Sequence, residues 1–212
     1  MVSVIIDTAQ DVVSHIAALQ AARVTTVIRY LTTTPRSPKL ITPSEVHALG
    51  AAGIRLGLVF EVYGGADGVP DIDAPDGVAD AKFCLSYAPT IGANNTSAIF
   101  FAIDFDAEDT EVISDVLPYF KNIYETIGDA FYVGVYGSGS VCSAVIADGY
   151  ADLAWLSGSM GWRGSRKYLA AKPKELVLVQ TTEDTRLADM DVDLNEALGD
   201  WGDFLPTTSM AA

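Results

Sequence analysis

The segment FAIDFD places Asp104 and Asp106 two residues apart at the end of an apolar run. In an extended strand such residues share a face, with Cα atoms roughly 6.5 to 7 Å apart, so both carboxylates are expected to project into one space. Two neighbouring carboxylates disfavour joint ionisation, which leaves one able to hold a proton near neutral pH. A proton donor beside a charged carboxylate is what acid-catalysed cleavage of a glycosidic bond requires. An Asp-x-Asp pair also has two other readings, a helix cap plus an acceptor for backbone amides and, less favoured, a divalent-cation ligand pair. Three further acids stand in comparable places. Asp7 closes the run VII, Glu61 follows LGLVF, and Asp193 lies in DMDVDLN between Asp191 and Asn195. Glu61 suits an ion pair as well as it suits chemistry.

Aromatic residues accompany these acids. Tyr30, Tyr63, Tyr136 and Trp155 all stand at or near the ends of apolar runs. Their rings would suit the apolar faces of sugars, or would simply pack a core. Gln180 ends another run and is placed to hydrogen-bond a ligand. Arg29 lies inside the second run, either holding one of the carboxylates ionised or serving the fold. Ser138 in YGSGS has no histidine at a strand end to activate it, which argues against a serine nucleophile. The two histidines, His15 and His47, and the two cysteines, Cys84 and Cys142, lack metal-ligand spacing. Neither a metal nor a cofactor is expected, and the cysteines read as buried free thiols.

The elements that must position these groups alternate between short apolar runs and helical stretches. Strands are expected at Val4–Ile6, Thr26–Leu31, Arg55–Val62, Ala98–Ile103, Tyr132–Tyr136, Leu153–Leu156, Leu176–Gln180 and Asp191–Leu194. Helices are expected at Asp11–Ala22, Thr42–Ala52, Asp76–Ala88, Glu108–Ile127, Ser140–Ala147 and Ser165–Ala171. Thr42-Pro43-Ser44-Glu45 is a capping box with proline at the first helical position, and Gly53 stops that helix. Pro118 is expected to disturb the long helix that contains it. The turn-rich stretch Gly64–Pro75 reads as a surface loop, and the tail beyond Trp201 is expected to pack outside.

Regular alternation implies a parallel sheet covered by helices. About eight units in 212 residues make a single-domain α/β fold, a (β/α)8 TIM-like barrel over residues 1–212, the favoured architecture. A doubly wound open sheet is the rival, weakened because the first turn reads DTAQD rather than a glycine-rich phosphate loop. In a barrel, chemistry sits on the rim formed by the C-terminal ends of the strands, where these acids fall.

Half of the residues are hydrophobic, 19% are charged and the net charge is −15. That surface repels phosphate backbones and anionic membranes, so no nucleic-acid partner is expected and a neutral or locally cationic ligand is easier to accommodate. No run is long enough to span a bilayer, and the N-terminus lacks a signal peptide. The expectation is a chain made as a soluble cytoplasmic protein that acts at the cell envelope or outside only if delivered there. Its oligomeric state is not legible.

The pieces IIDTAQ, VIRYL, KLITPSEVHALGAAGIRLGLVFE, AIFFAIDFD, YVGVYGSGSVC, AWLSGS and VDLN run through most of the chain. Together they resemble the glycoside-hydrolase-like domain family ("domain of unknown function 1906"), a relative of the family-25 glycoside hydrolases, the muramidases. The resemblance implies a (β/α)8-like barrel and a glycan partner of the peptidoglycan type. It implies that Asp7, Asp104, Asp106 and Asp193 stand where the muramidases carry their acids, with Asp106 at the proton-donor position and Asp104 stabilising the reaction centre. One departure matters: the muramidases usually carry Glu at the donor position. Aspartate is a methylene shorter, and a donor misplaced by about 1 Å costs on the order of 100-fold in rate. The resemblance is therefore compatible with a hydrolase, or with a barrel that binds glycan and cleaves it poorly. Glu61 is an alternative source of the missing acid.

Overall fold

The computed structural model describes residues 3–34, 37–61 and 74–207. Tyr63 lies outside the described residues, as does the expected Gly64–Pro75 loop apart from Ala74 and Pro75. The strands are β1 (Val4–Asp7), β2 (Val24–Leu31), β3 (Arg55–Phe60), β4 (Ala98–Ala102), β5 (Tyr132–Gly137), β6 (Leu153–Leu156), β7 (Leu176–Leu187) and β8 (Met190–Ala197). They close in sequence order into one barrel. The helices are α1 (Ile16–Ala21), α2 (Pro43–Ala52), α3 (Ala74–Tyr87), α4 (Asp109–Glu111), α5 (Leu117–Ile127), α6 (Gly139–Ala147) and α7 (Ser165–Ala171). The fold is a TIM-like α/β barrel.

Strands β1 to β7 run parallel, each to the next. The expectation of a wholly parallel sheet fails at β8, which is antiparallel to both β7 and β1. The cause is local. Ala188 and Asp189 both adopt positive φ, 54° and 62°, so β7 folds straight back as a hairpin and no crossover helix intervenes.

Side chains alternate between two cores. Ile5, Ile28, Val59, Phe100, Tyr136, Trp155 and Leu178 fill the barrel, while Ile6, Val27, Leu58, Phe101 and Val135 pack beneath the helices. Large rings fit the interior because glycine faces them. A Cβ on Gly134 would stand 2.3 Å from the Phe100 ring, and one on Gly57 would stand 2.4 Å from the Trp201 ring. The tail does not simply pack outside. Trp201 enters the inner core, Gly202 accepts a hydrogen bond from Ala98 at the start of β4, and Phe204 bridges to Leu56 of β3. These residues close the N-terminal end of the barrel and leave the opposite end open.

Two helix starts follow from the sequence. Thr42 Oγ1 accepts from the Glu45 amide, Glu45 Oε2 accepts from the Thr42 amide, and Pro43 opens α2. A π turn, Val112–Val116, directly precedes α5, whose second residue is Pro118. Proline has no amide proton to give the carbonyl four residues back, and the helix widens by one residue there.

Candidate functional site

Inward alternation carries β1 to Asp7, which is 3% exposed at the open end of the barrel. Its Oδ2 accepts from Asn195 Nδ2 at 2.7 Å and from Gln180 Nε2 at 3.4 Å, and its Oδ1 accepts from the Tyr30 hydroxyl at 3.3 Å. Antiparallel pairing sets Asp193 of β8 directly opposite Asp7. Gln180 Nε2 donates to Asp193 Oδ2 at 2.8 Å, so one amide group ties the two acids together. That amide is oriented from its other end, where Oε1 accepts from the Tyr136 hydroxyl and the Gly158 amide, both at 3.0 Å.

The cavity above these groups has a volume of about 290 Å³. Among the described residues, six carboxylates line it: Asp7, Glu61, Asp104, Glu183, Asp184 and Asp193. Tyr30, Tyr136, Trp155 and Trp162 supply aromatic surface on the same walls. Burial pushes Asp7 up to about 7, the Asp193 charge adds to the rise, and the bonds from Asn195, Gln180 and Tyr30 oppose it. Burial also raises Asp193, against the Asp184 amide that donates to its Oδ1 at 2.7 Å. Asp104 is raised by partial burial first and by the Glu61 charge second, with Lys39 opposing. Lys39 Nζ sits 2.6 Å from Glu61 Oε1 and 5.0 Å from the centre of the Tyr30 ring. The Tyr30 and Tyr136 hydroxyls are held well above the ordinary tyrosine value by burial and neighbouring acids, so both remain donors.

Of the residues singled out from sequence, Asp7, Tyr30, Glu61, Asp104, Tyr136, Trp155, Gln180 and Asp193 meet around this cavity. Asp106 does not. The rule that residues i and i+2 share a face holds only while the backbone stays extended, and β4 ends at Ala102. Past Asp104 the chain bends, and Asp106 turns away to Arg163. Its Oδ1 accepts from the Arg163 amide at 2.7 Å and its Oδ2 from Nη1 at 3.3 Å, while Nη2 reaches Glu108 at 3.3 Å. Arg29 also stays away from the cavity and takes the structural one of its two readings. Ile28 and Tyr30 face the interior, so Arg29 between them faces the helix layer. There it is 0% exposed, with Nε 2.9 Å from Glu45 Oε1 and Nη1 donating to the Thr8 carbonyl at 2.6 Å. Ser138 caps α6, accepting from the Val141 amide.

The sequence reading missed Glu183, Asp184, Ser159 and Trp162. Glu183 and Asp184 ride on β7 where it projects past Gln180, a stretch exposed on both faces and so without the apolar alternation that marks a half-buried strand. The available signal was the β-branched Thr181, Thr182 and Thr185 around them. Ser159 donates to Glu183 Oε1 at 3.0 Å and fixes that acid from the β6–α7 loop. Among the described residues, no three His, Cys, Asp or Glu side chains are arranged to share a metal ion, and no helix is long and apolar enough to cross a membrane.

A closed α/β barrel with an acid-lined, aromatic-walled mouth is the class that fold and site define. The chain belongs to the Rv2525c-like family of glycoside hydrolase-like domains, whose model matches residues 17–197. The uncharacterized Bacillus subtilis (strain 168) protein FadG is 30% identical over 158 residues, covering 71% of this chain but 27% of FadG, so the chain spans about a quarter of that relative. The Tat-secreted Mycobacterium tuberculosis protein Rv2525c, solved with L-tartrate, superimposes with a TM-score of 0.78 at 21% identity, covering 96% of this chain and 99% of that one. The modular autolysin LytC of Streptococcus pneumoniae, solved with a synthetic peptidoglycan ligand, superimposes with a TM-score of 0.57 at 16% identity, covering 91% of this chain and 46% of that one. At these identities the two structural likenesses are likenesses of fold.

Proposed function

We propose that this protein is a glycoside hydrolase acting on peptidoglycan or a related glycan of N-acetylated amino sugars. The observation that carries the reading is the meeting of six carboxylates around one cavity with Asp7 pushed up to about 7 and Asp104 and Asp193 also raised. Glycoside cleavage needs a carboxyl group that still holds a proton at working pH and a carboxylate that stabilises the positive charge developing on the sugar ring. Asp104 is the group assigned as proton donor, because it is the raised acid that stands open to the cavity. Asp193, with Asp7 behind it, is assigned to the developing charge. Gln180, Tyr30 and Asn195 are positioning residues that hold these two acids. The aromatic walls suit sugar-ring faces, and the modular autolysin LytC, part of which shares this fold, was solved with a synthetic peptidoglycan ligand.

The departure at Asp106 favours a second reading, glycan binding without cleavage, because Arg163 holds that carboxylate away from the cavity. Variant digests separate the two. Purified peptidoglycan is incubated with the wild type, Asp104→Asn and Asp106→Asn, and released fragments are followed by mass. The hydrolase reading predicts that Asp104→Asn lowers release by at least about 100-fold, while Asp106→Asn stays within about tenfold of wild type. Saturable binding with no release by the wild type would establish the second reading.

A further inference from the structure

Residues 157–164 join β6 to α7 and form one side of the cavity, where Ser159 and Trp162 reach the wall. Trp155 and Trp201 are 2% and 4% exposed, so the half-buried Trp162 is the tryptophan whose ring a ligand can reach. The loop is neither helix nor strand, so the direction of that ring depends on where the neighbouring peptide groups find their partners. The Trp162 amide donates to the Ser159 carbonyl at 2.9 Å, and the Trp162 carbonyl accepts from the Ser165 amide at 3.2 Å. The next amide, that of Arg163, is taken by a side chain outside the loop. It donates to Asp106 Oδ1 at 2.7 Å. This N–H belongs to the peptide plane that joins Trp162 to Arg163, so Asp106 fixes the backbone on which the Trp162 ring stands. The Arg163 guanidinium straps the same contact, with Nη1 3.2 Å from the Asp106 carbonyl oxygen and 3.3 Å from Oδ2. At its other end the loop is tied to the acids, through the Gly158 amide on Gln180 and the Ser159 hydroxyl on Glu183.

We infer that Asp106 is a positioning residue for glycan binding: by holding the Arg163 amide it aims Trp162 at the cavity, and it takes no part in breaking the bond. The inference rests on the proposed glycan site for its ligand, but it concerns affinity and a side chain outside the cavity lining. Of the contacts Asp106 makes, the one to the amide counts for most. The ion pair leaves Arg163 42% and Asp106 35% exposed, where water screens it. The 2.7 Å bond has the length of a charge-assisted one. Asparagine keeps an oxygen for that amide, and alanine keeps none.

The test uses the full chain and soluble fragments of purified peptidoglycan. Binding is followed by calorimetry and cleavage by the mass of products over a range of fragment concentrations. Acrylamide quenching of tryptophan emission reports on Trp162 with no ligand present. Asp106→Ala is expected to raise Kd and KM at least about fivefold while kcat stays within about twofold. Asp106→Asn should return both to within about twofold of wild type, because the amide regains its acceptor. Trp162→Ala should weaken binding at least as much as Asp106→Ala, and the double variant should be little worse than Trp162→Ala, since both changes act through one ring. Quenching should differ between Asp106→Ala and wild type, and that difference should disappear when Trp162 is replaced by Phe in both. Unchanged affinity in Asp106→Ala, a loss confined to kcat, a loss that Asp106→Asn does not restore, additive losses in the double variant, or no binding of the fragments by the wild type would overturn the inference. Its failure is distinct from that of the hydrolase reading. Cleavage by Asp106→Ala at the wild-type KM leaves that reading standing and removes this one. Fragments that bind without being cleaved, and bind Asp106→Ala more weakly, do the reverse.

Discussion

Asp7 is the residue at which structure and chemistry pull hardest against each other, since the fold buries a carboxyl group beside a second acid. The unfolded chain releases its proton near the ordinary value of 3.8, the folded chain near 7. The stability tied to that proton is fully present below the first value and is lost as pH rises through the second, because between them the folded state binds more protons. The loss is on the order of a few kcal/mol. Asp80, buried against the Tyr119 hydroxyl at 2.9 Å and pushed up to about 6, acts with the same sign, so the wild type alone does not isolate Asp7. The comparison that does is Asp7→Asn. Its melting temperature relative to wild type is expected to rise steadily between about pH 4 and pH 7 and then level off. Parallel melting curves across that range would contradict the assignment. Most site residues were legible because strand alternation needs no long-range information: a residue two past an inward Ile5 or Ile28 also faces inward. Asp106 escapes that rule because the strand ends before it, and Arg29, on the helix-facing side of the same alternation, takes the structural one of the two roles its sequence left open.

At the scale of elements, Glu45 joins three of them. Its carboxylate caps α2 through Thr42, accepts from the Val12 amide at 3.3 Å ahead of α1, and pairs with Arg29 of β2. With side-chain exposures of 0% and 1%, the pair is held by mutual compensation, and removing one partner strands the other. Arg29→Ala is therefore expected to cost about 3 to 5 kcal/mol in urea unfolding, while Arg29→Met with Glu45→Met costs much less. Equal losses in the two variants would contradict mutual compensation of the two charges, because the second variant strands neither. The capping box was legible because it is local. The direction of β8 was not, because the turn that reverses the chain is Ala188-Asp189 rather than the Asn-Gly or Asp-Gly pair that advertises a hairpin. That reversal has a consequence for the site. A parallel β8 would offer only its end to the rim, whereas the antiparallel strand runs past Asp7 and sets Asp193 and Asn195 on its carboxylate.

The molecule as a whole is a barrel sealed at one end by Trp201 and open at the other, with a net charge of −15. Alternation of strands and helices made that architecture legible, along with the end at which function would fall. Only weakly marked in the sequence was the projecting β7–β8 hairpin, which adds two acids to the rim, and the tail that closes the base carried no local signal of that role. Barrel closure brings together groups as distant in the chain as Asp7 and Asp193, and the proposed chemistry depends on their meeting. The central claim is that these acids direct water to break a glycosidic bond. It is tested most directly by digesting peptidoglycan in water enriched in oxygen-18 and weighing the products. The account predicts fragments whose new reducing ends each carry one heavy oxygen, absent with Asp104→Asn. Fragments released without the label, or no fragments from the wild-type chain, would contradict it.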